Sequence, residues 1–176
     1  VNGKILFINS LNIELAKSVR ESKHIYINDI NYLSSYLGIT RWFDRALWFQ
    51  AKYAISMDAI PELAFNISKI INAILGMSKK CLVVDLDNTC WGGVIGDDGL
   101  RGINIGIETP IAEAFSYFQQ YIIELKNKGI ILAVCSKNDI DNAKEGFTHP
   151  DSILKFEDFL SFIANWEPKS ENLKKI

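Results

Sequence analysis

Two aspartates that follow a short apolar run are the residues of this chain best suited to chemistry. Asp85 and Asp87 come directly after residues 81–84, a Cys-Leu-Val-Val run typical of a buried strand. In an open α/β sheet, the carboxyl end of a parallel strand faces the crevice in which ligands bind. One carboxylate placed to attack and a second placed to transfer protons suit phosphoryl transfer. The spacing therefore predicts a phosphoryl-transfer site at this strand end.

Five more polar residues complete the predicted site. Ser136 lies just past a second apolar run, where its hydroxyl and nearby backbone N–H groups are placed to bind phosphate oxygens. Thr89, Lys137 and Asn138 are predicted to bind the substrate or its phosphate with it. Lys169 follows a Trp-Glu-Pro sequence and precedes a helical segment. Its ammonium group is predicted to offset the charge of the phosphate and the nucleophile during catalysis.

The two carboxylates receive different roles in this mechanism. Asp85 is the predicted nucleophile and forms an aspartyl-phosphate. Asp87 is predicted to protonate the leaving oxygen and then to activate the attacking water or acceptor. Carboxylate and phosphate oxygens held close together repel each other, and Mg²⁺ prefers oxygen ligands. The sequence therefore predicts Mg²⁺ as cofactor.

Composition excludes several other classes of function. The 176 residues are 48% hydrophobic and 23% charged, as in soluble globular proteins. A net charge of −2 and the lack of a basic tract argue against nucleic-acid binding. No apolar run approaches the ~18–20 residues that span a bilayer, and no signal-peptide pattern is present, so no membrane partner is expected. Three cysteines without C-x-x-C spacing predict free thiols in a reducing cytoplasm.

The elements upstream of the aspartates are predicted to form a partial α/β domain. Strands are expected at residues 4–10 and 24–29, with a helix at about 12–21 between them, which makes a β-α-β unit with parallel strands. Three helices are expected to follow, at about 30–37, 42–56 and 61–75. Gly76 ends the last of them, and the domain boundary is expected between Gly76 and Lys80.

A second β-α-β unit is predicted downstream of this boundary. After the strand at 81–86, the glycine-rich segment 90–108 suggests a β-hairpin flap. Pro110 favours the first turn of a long helix that ends at Gly129, and residues 130–135 form a second buried strand. Helices are expected to resume at about 139 and at about 155. The strands at 81–86 and 130–135 would then place the polar residues at their carboxyl ends, among them Asp85 and Ser136, at one edge of the sheet.

At the site residues the chain resembles the haloacid dehalogenase (HAD) superfamily of phosphohydrolases and phosphotransferases. The superfamily's D-x-D-x-T motif is matched by Asp85, Asp87 and Thr89, its second motif by Ser136 and its third by Lys169. The resemblance implies that Mg²⁺ is bound by the Asp85 carboxylate and the Asp87 backbone carbonyl. It also implies a further acidic ligand from a fourth motif, which is expected beyond residue 176.

Three longer segments resemble the FkbH-like branch of that superfamily: residues 85–96, 134–139 and 165–169. This implies transfer of the glyceryl group of 1,3-bisphosphoglycerate, with loss of phosphate, onto an acyl carrier protein as a thioester. Cys90 departs from the branch, which usually has leucine there. Many branch members carry an upstream domain that resembles an SGNH-type hydrolase. Neither histidine follows the Asp-x-x-His pattern of an active SGNH hydrolase, so this part is predicted to be non-catalytic.

Cys135 is a candidate acyl thiol because it lies beside Ser136. Strand side chains alternate between the two faces of a sheet, so the alternative is a buried cysteine that points away from the cleft.

Taken together, the sequence predicts an α/β protein of two parts. Residues 1–78 would be a partial flavodoxin- or SGNH-like domain, and residues 79–176 a HAD-like core, a Rossmann-like parallel sheet with flanking helices, truncated before its fourth motif. The expected substrate is a phosphorylated small molecule, and the expected partner is an acyl carrier protein. A phosphoprotein phosphatase and a non-catalytic binding module remain as alternative functions.

Overall fold

The computed structural model describes residues 3–176. The chain divides into one unit that ends at Ser78 and a second unit, Lys79–Ile176. None of the helices in the described residues combines the length and the apolar character that crossing a bilayer requires.

The described part of the first unit is helical. Its helices are α1 (Lys4–Arg20), α2 (Ile30–Leu37), α3 (Ile39–Trp42), α4 (Arg45–Ala51) and α5 (Ile60–Ile74). The predictions of α2 and α5 are confirmed. The single helix expected at 42–56 is wrong, because the Asp44 side chain accepts hydrogen bonds from the N–H groups of Ala46 and Leu47 and so starts a new helix at Arg45.

The β-α-β unit predicted for this part of the chain is also wrong. Residues 4–10 lie within α1, and residues 24–29 form neither strand nor helix. A short run of isoleucine, leucine and phenylalanine suits a strand or a helix, and in α1 it continues into good helix formers such as Ala16 and Lys17. Residues 3–78 contain no strand with which 24–29 could pair. The flavodoxin- or SGNH-like architecture therefore finds no support in the described residues.

The second unit is built on a parallel sheet of three strands in the order β1-β2-β3. These are β1 (Cys81–Val84), β2 (Ile131–Ser136) and β3 (Ser161–Ala164). Val84 pairs with Val134, and Ser136 pairs with Ala164. All three strands therefore end at one edge of the sheet. The prediction of two parallel strands is confirmed. The third strand, β3, was not predicted. A helix was expected from about residue 155, but residues 156–158 form only a 3₁₀ turn.

The helices of this unit are α6 (Ile95–Asp98), α7 (Pro110–Asn127), α8 (Ile140–Glu145) and α9 (Lys169–Asn172). The long helix that begins at Pro110 is confirmed, and the Thr109 side chain caps it by accepting the N–H of Ala112. The predicted hairpin flap is reduced to one antiparallel bridge between Gly92 and Asn104, because α6 occupies part of the segment. The core of the unit contains the fully buried side chains of Leu86, Trp91, Ile122, Leu132 and Leu154.

Candidate active site

Asp85 and Lys169 form an ion pair at the carboxyl end of the sheet. Asp85 follows the last residue of β1, and Lys169 is the first residue of α9. The Lys169 Nζ atom donates to Asp85 Oδ2, and Asp85 Oδ1 accepts the backbone N–H of Leu86 at 2.9 Å. The side chains of Asp85 and Lys169 are 35% and 38% exposed. The pair is thus open to a substrate from solvent.

The surroundings of Asp85 favour its ionised form. Partial burial is the largest single influence and by itself would raise the pKa of this carboxyl group. The bond from Lys169, the nearby Ser136 hydroxyl, the Leu86 N–H and the charge of Lys169 together outweigh burial, so the pKa lies below its usual value of 3.8. Asp85 is therefore an anion at neutral pH, as a nucleophile requires.

Ser136 presents a buried hydroxyl to this ion pair. It is the last residue of β2 and only 1% exposed, and its Oγ atom has no hydrogen-bond partner among the described residues. The hydroxyl lies near enough to Asp85 to lower the pKa of that carboxyl, yet the two groups do not meet the geometry of a formed hydrogen bond. An unpaired buried hydroxyl costs about 1–3 kcal/mol. A ligand oxygen, such as that of a phosphate, would remove this cost.

Asp87 is held by three hydrogen-bond donors. Its Oδ1 atom accepts the Trp91 indole N–H at 3.0 Å and the Ile95 backbone N–H at 3.1 Å. Its Oδ2 atom accepts the Asn138 carboxamide at 2.9 Å. The donors come from the flap segment and from the turn after β2, so Asp87 links both to the end of β1.

A tight turn brings Trp91 back to Asp87. Asn88 adopts a φ of 55°, in the left-handed region that asparagine tolerates better than most residues. Its backbone N–H donates to the Gly93 carbonyl, and its side-chain oxygen accepts the Gly93 N–H at 3.0 Å. The segment 88–93 therefore folds on itself, and the Trp91 indole lies against the carboxylate four residues earlier.

The other three predicted substrate-binding residues, Thr89, Lys137 and Asn138, differ in burial and in hydrogen-bond partners. Thr89 is half-buried, and its backbone N–H donates to the Leu86 carbonyl at 3.0 Å. Lys137 is exposed. Asn138 is buried, with its amide nitrogen on Asp87 and its oxygen accepting the Asp139 N–H at 2.8 Å. The structure thus ties Asn138 to Asp87.

Cys135 lines a small cavity beside the ion pair. The cavity has a volume of about 190 Å³ and is lined by Val83, Val84, Asp85, Cys135, Lys169 and Leu173. The Cys135 Sγ atom lies 3.9 Å from the backbone carbonyl oxygen of Lys169. Cys135 and Ser136 therefore both lie next to residues of the ion pair, although they are neighbours on one strand.

Cys90 has a structural place behind the site. Its thiol is buried and donates to the Asp85 carbonyl at 3.2 Å. Burial, and after it the charge of Asp85, raises the pKa of the thiol to about 12, so it is not a nucleophile at neutral pH. The buried side chain of Gln119 fixes the same loop: its amide nitrogen donates to the Cys90 carbonyl at 2.8 Å, and its oxygen accepts the N–H groups of Ile153 and Leu154.

The donor chemistry at the end of β1 fits Mg²⁺ in part. Asp85 and Asp87 offer carboxylate oxygens, the ligands this ion prefers. Residues 3–176 contain no group of three or more acidic, histidine or cysteine side chains that could hold a metal ion. The described residues thus supply part of a ligand set.

The chain is similar to known proteins in two comparisons. Residues 3–72 match the FkbH N-terminal domain. The whole fold is similar to a crystal structure of the N-terminal part of the protein BF1531 from Bacteroides fragilis, which contains a phosphatase domain and is complexed with Mg. The TM-score is 0.90 and the identity 40%, over 97% of this chain and 46% of that one. The chain thus spans about half the length of this relative. No curated protein matches the chain.

Three features of the site were missed by the sequence prediction: the Trp91 indole, the Ile95 N–H and the Gln119 brace. Trp91 lies inside the segment 85–96 that resembles the FkbH-like branch, but the sequence does not indicate that its indole binds Asp87. A backbone donor such as Ile95 leaves no trace in residue identity, and Gln119 lies on a helix whose apolar pattern gave no reason to single it out.

Proposed function

We propose that this chain is a Mg²⁺-dependent phosphohydrolase or phosphotransferase of the HAD type that acts through an aspartyl-phosphate on Asp85. The observation that carries the proposal is the buried, unpaired Ser136 hydroxyl beside the Asp85–Lys169 ion pair. These three groups offer a nucleophile, a cation and a hydroxyl to one phosphate group. The similarity to a Mg-complexed phosphatase domain supports the same chemistry.

The proposed reaction has two steps. In the first, an Asp85 oxygen forms a bond to phosphorus while the bond from phosphorus to the leaving oxygen breaks, and Asp87 gives a proton to that oxygen. In the second, Asp87 takes a proton from water or an acceptor hydroxyl, whose oxygen bonds to phosphorus and frees Asp85. Lys169 offsets negative charge in both steps, and Ser136 donates to a phosphate oxygen.

The Asp85 carboxylate and the Asp87 backbone carbonyl would hold Mg²⁺ from this chain. The ion supplies charge neutralisation between the nucleophile and the phosphate when it is bound.

The specific reaction we propose is glyceryl transfer from 1,3-bisphosphoglycerate to an acyl carrier protein. Its support is the match to the FkbH N-terminal domain and the position of Cys135 in the cavity beside Asp85. The Cys135 sulfur attacks the acyl carbon, a C–S bond forms, the C–O bond to the acyl phosphate breaks, and the thiol proton leaves with the inorganic phosphate. The remaining phosphoester is hydrolysed through Asp85. The carrier protein's thiol sulfur then bonds to the acyl carbon, the C–S bond to Cys135 breaks, and the carrier thiol's proton passes to the Cys135 sulfur.

Phosphate release from phosphoesters and acyl phosphates, with and without Mg²⁺, tests the general proposal. We expect Mg²⁺-dependent release that Asp85→Asn abolishes. Turnover that survives this substitution contradicts the proposal.

Intact-mass spectrometry of a carrier protein incubated with 1,3-bisphosphoglycerate tests the specific one. Cys135→Ala should abolish loading, and Cys81→Ala, which changes an exposed cysteine on β1, is the matched control. Equal loading by wild type and Cys135→Ala would rule out the thiol relay.

A further inference from the structure

We infer that Trp91 is a positioning residue for Asp87, and that it leaves Oδ2 as the oxygen through which Asp87 exchanges its proton. The inference rests on the proposed function, because it assigns a role within the same reaction. It concerns a side chain that does not itself contact the reacting atoms.

The occupancy of the Asp87 carboxylate leads to this assignment. Two carboxylate oxygens offer about four lone-pair sites in total. Oδ1 accepts both the Trp91 indole and the Ile95 backbone N–H, whereas Oδ2 accepts only the Asn138 amide. The open site therefore lies on Oδ2. The donors on Oδ1 also stop the carboxylate from rotating, so the two oxygens cannot exchange places without breaking these bonds.

The packing around Trp91 fixes the direction of its N–H. The side chain is fully buried, and its ring packs edge-on against Phe147 with centroids 5.4 Å apart. On the other side it lies over Gly146, where an added Cβ would stand 2.5–2.9 Å from three atoms of the ring. Gly146 has an ordinary helical φ of −54°, so space rather than backbone conformation requires glycine there. The indole thus has one position, and in that position it donates to Asp87.

A residue that only fills space in the core does not need an N–H group directed at Asp87. Phenylalanine would fill much of the same volume and pack against Phe147, but it has no N–H. The distinguishing experiment is therefore Trp91→Phe in the 176-residue chain, with Phe159→Leu as the matched control. Phe159→Leu perturbs the same aromatic cluster, because the Phe159 ring packs against Phe147 with centroids 5.4 Å apart, and it changes neither Trp91 nor the ring that contacts it.

The readout is the dependence of turnover on the leaving group. An alkyl phosphate needs a proton on its leaving oxygen, whereas 4-nitrophenyl phosphate does not. Because general acid catalysis contributes about 10²–10⁴-fold, we expect Trp91→Phe to lower kcat by about tenfold on the alkyl ester and by less than about threefold on the nitrophenyl ester. Phe159→Leu should change both by the same factor. An equal loss on both esters in Trp91→Phe would overturn the inference.

A second measurement does not depend on turnover. In ¹H–¹⁵N spectra, the Trp91 indole resonance should move when Asp87→Asn removes the negative charge from its acceptor. The Trp48 indole, on α4 in the first unit, is the internal control and should stay in place. An unmoved Trp91 resonance overturns the inference. If wild type turns over neither ester with Mg²⁺, the proposed function fails, and this spectrum still decides whether Trp91 binds Asp87.

Discussion

The Ser136 hydroxyl lies buried beside the Asp85 carboxylate and yet makes no hydrogen bond with any described residue. A folded protein usually pairs such a group, and leaving it unpaired lowers stability. At the end of β2 the unpaired group lies beside the proposed nucleophile, where a bound phosphate oxygen would supply the missing acceptor.

Replacing this hydroxyl should separate stability from activity. In Ser136→Ala, we expect the free energy of unfolding to stay equal or rise by about 1 kcal/mol, because an unsatisfied buried group is removed. Turnover of a phosphoester should fall, because a phosphate oxygen loses its donor. Urea unfolding and steady-state kinetics on the same samples measure both effects.

Ser152→Ala is the matched control for this prediction. Ser152 is also buried, but its hydroxyl donates to the Leu154 carbonyl at 2.9 Å. Its loss should therefore lower stability by about 1 kcal/mol and leave turnover nearly unchanged. If Ser136→Ala behaves like Ser152→Ala, the hydroxyl at 136 has a structural role and not a ligand-binding one.

The Asp85–Lys169 pair predicts a pH dependence of stability. The pKa of Asp85 is lowered in the folded state, so its contribution to stability is present above the usual value of 3.8 that the unfolded chain has, and it is lost as pH falls through the lower folded value. Both side chains are about one-third exposed, so the contribution should not exceed about 1 kcal/mol.

The unfolding free energies of wild type and Asp85→Asn, measured as a function of pH, test this prediction. Their difference in unfolding free energy should be constant from pH 7 down to about 5 and should change only at more acid pH, where the wild-type carboxylate takes up its proton. A difference that stays constant below pH 4 as well, or one that already changes between pH 7 and pH 5, would contradict a lowered pKa of Asp85.

Much of the candidate site could be predicted because it depends on local sequence. The apolar runs before Asp85 and Ser136 are buried strands, and parallel strands place the residues that follow them at one edge. The interactions of Asp87 could not be predicted in this way. They depend on the left-handed turn at Asn88, which directs the Trp91 N–H back onto the carboxylate, and on a backbone N–H at Ile95.

The fold of residues 4–29 could not be predicted for a different physical reason. Short apolar runs such as residues 5–8 fit both strand and helix, and only the presence or absence of a partner strand decides between them. β3 was missed because its four residues are too short to show a period, and pairing with β2 is what makes them a strand.

The Gln119 side chain should be a main support of the loop that carries both aspartates. It is fully buried and bonds to three backbone groups, those of Cys90, Ile153 and Leu154. Gln119→Leu keeps the approximate size and leaves these groups unpaired, so we expect a loss of about 2–4 kcal/mol in unfolding free energy. Gln120→Leu, at the exposed neighbouring position on α7, should change stability by no more than about 0.5 kcal/mol. Equal urea midpoints for the two variants would contradict this role.

The last prediction concerns Gly146, which lies far from the ion pair in sequence and offers no functional group. Gly146→Ala places a methyl group within van der Waals overlap of the Trp91 ring, so the ring, the helix end or both must move. We expect a loss of about 1–3 kcal/mol in stability from overpacking. Because the ring carries the donor to Asp87, kcat should fall more on an alkyl phosphate than on 4-nitrophenyl phosphate, as in Trp91→Phe. Gly129→Ala, where an added Cβ meets no atom within 4 Å but the φ of 89° strains the backbone, is the control for lost stability alone. If both variants lose turnover equally on the two esters, Gly146 acts on stability and not through Trp91.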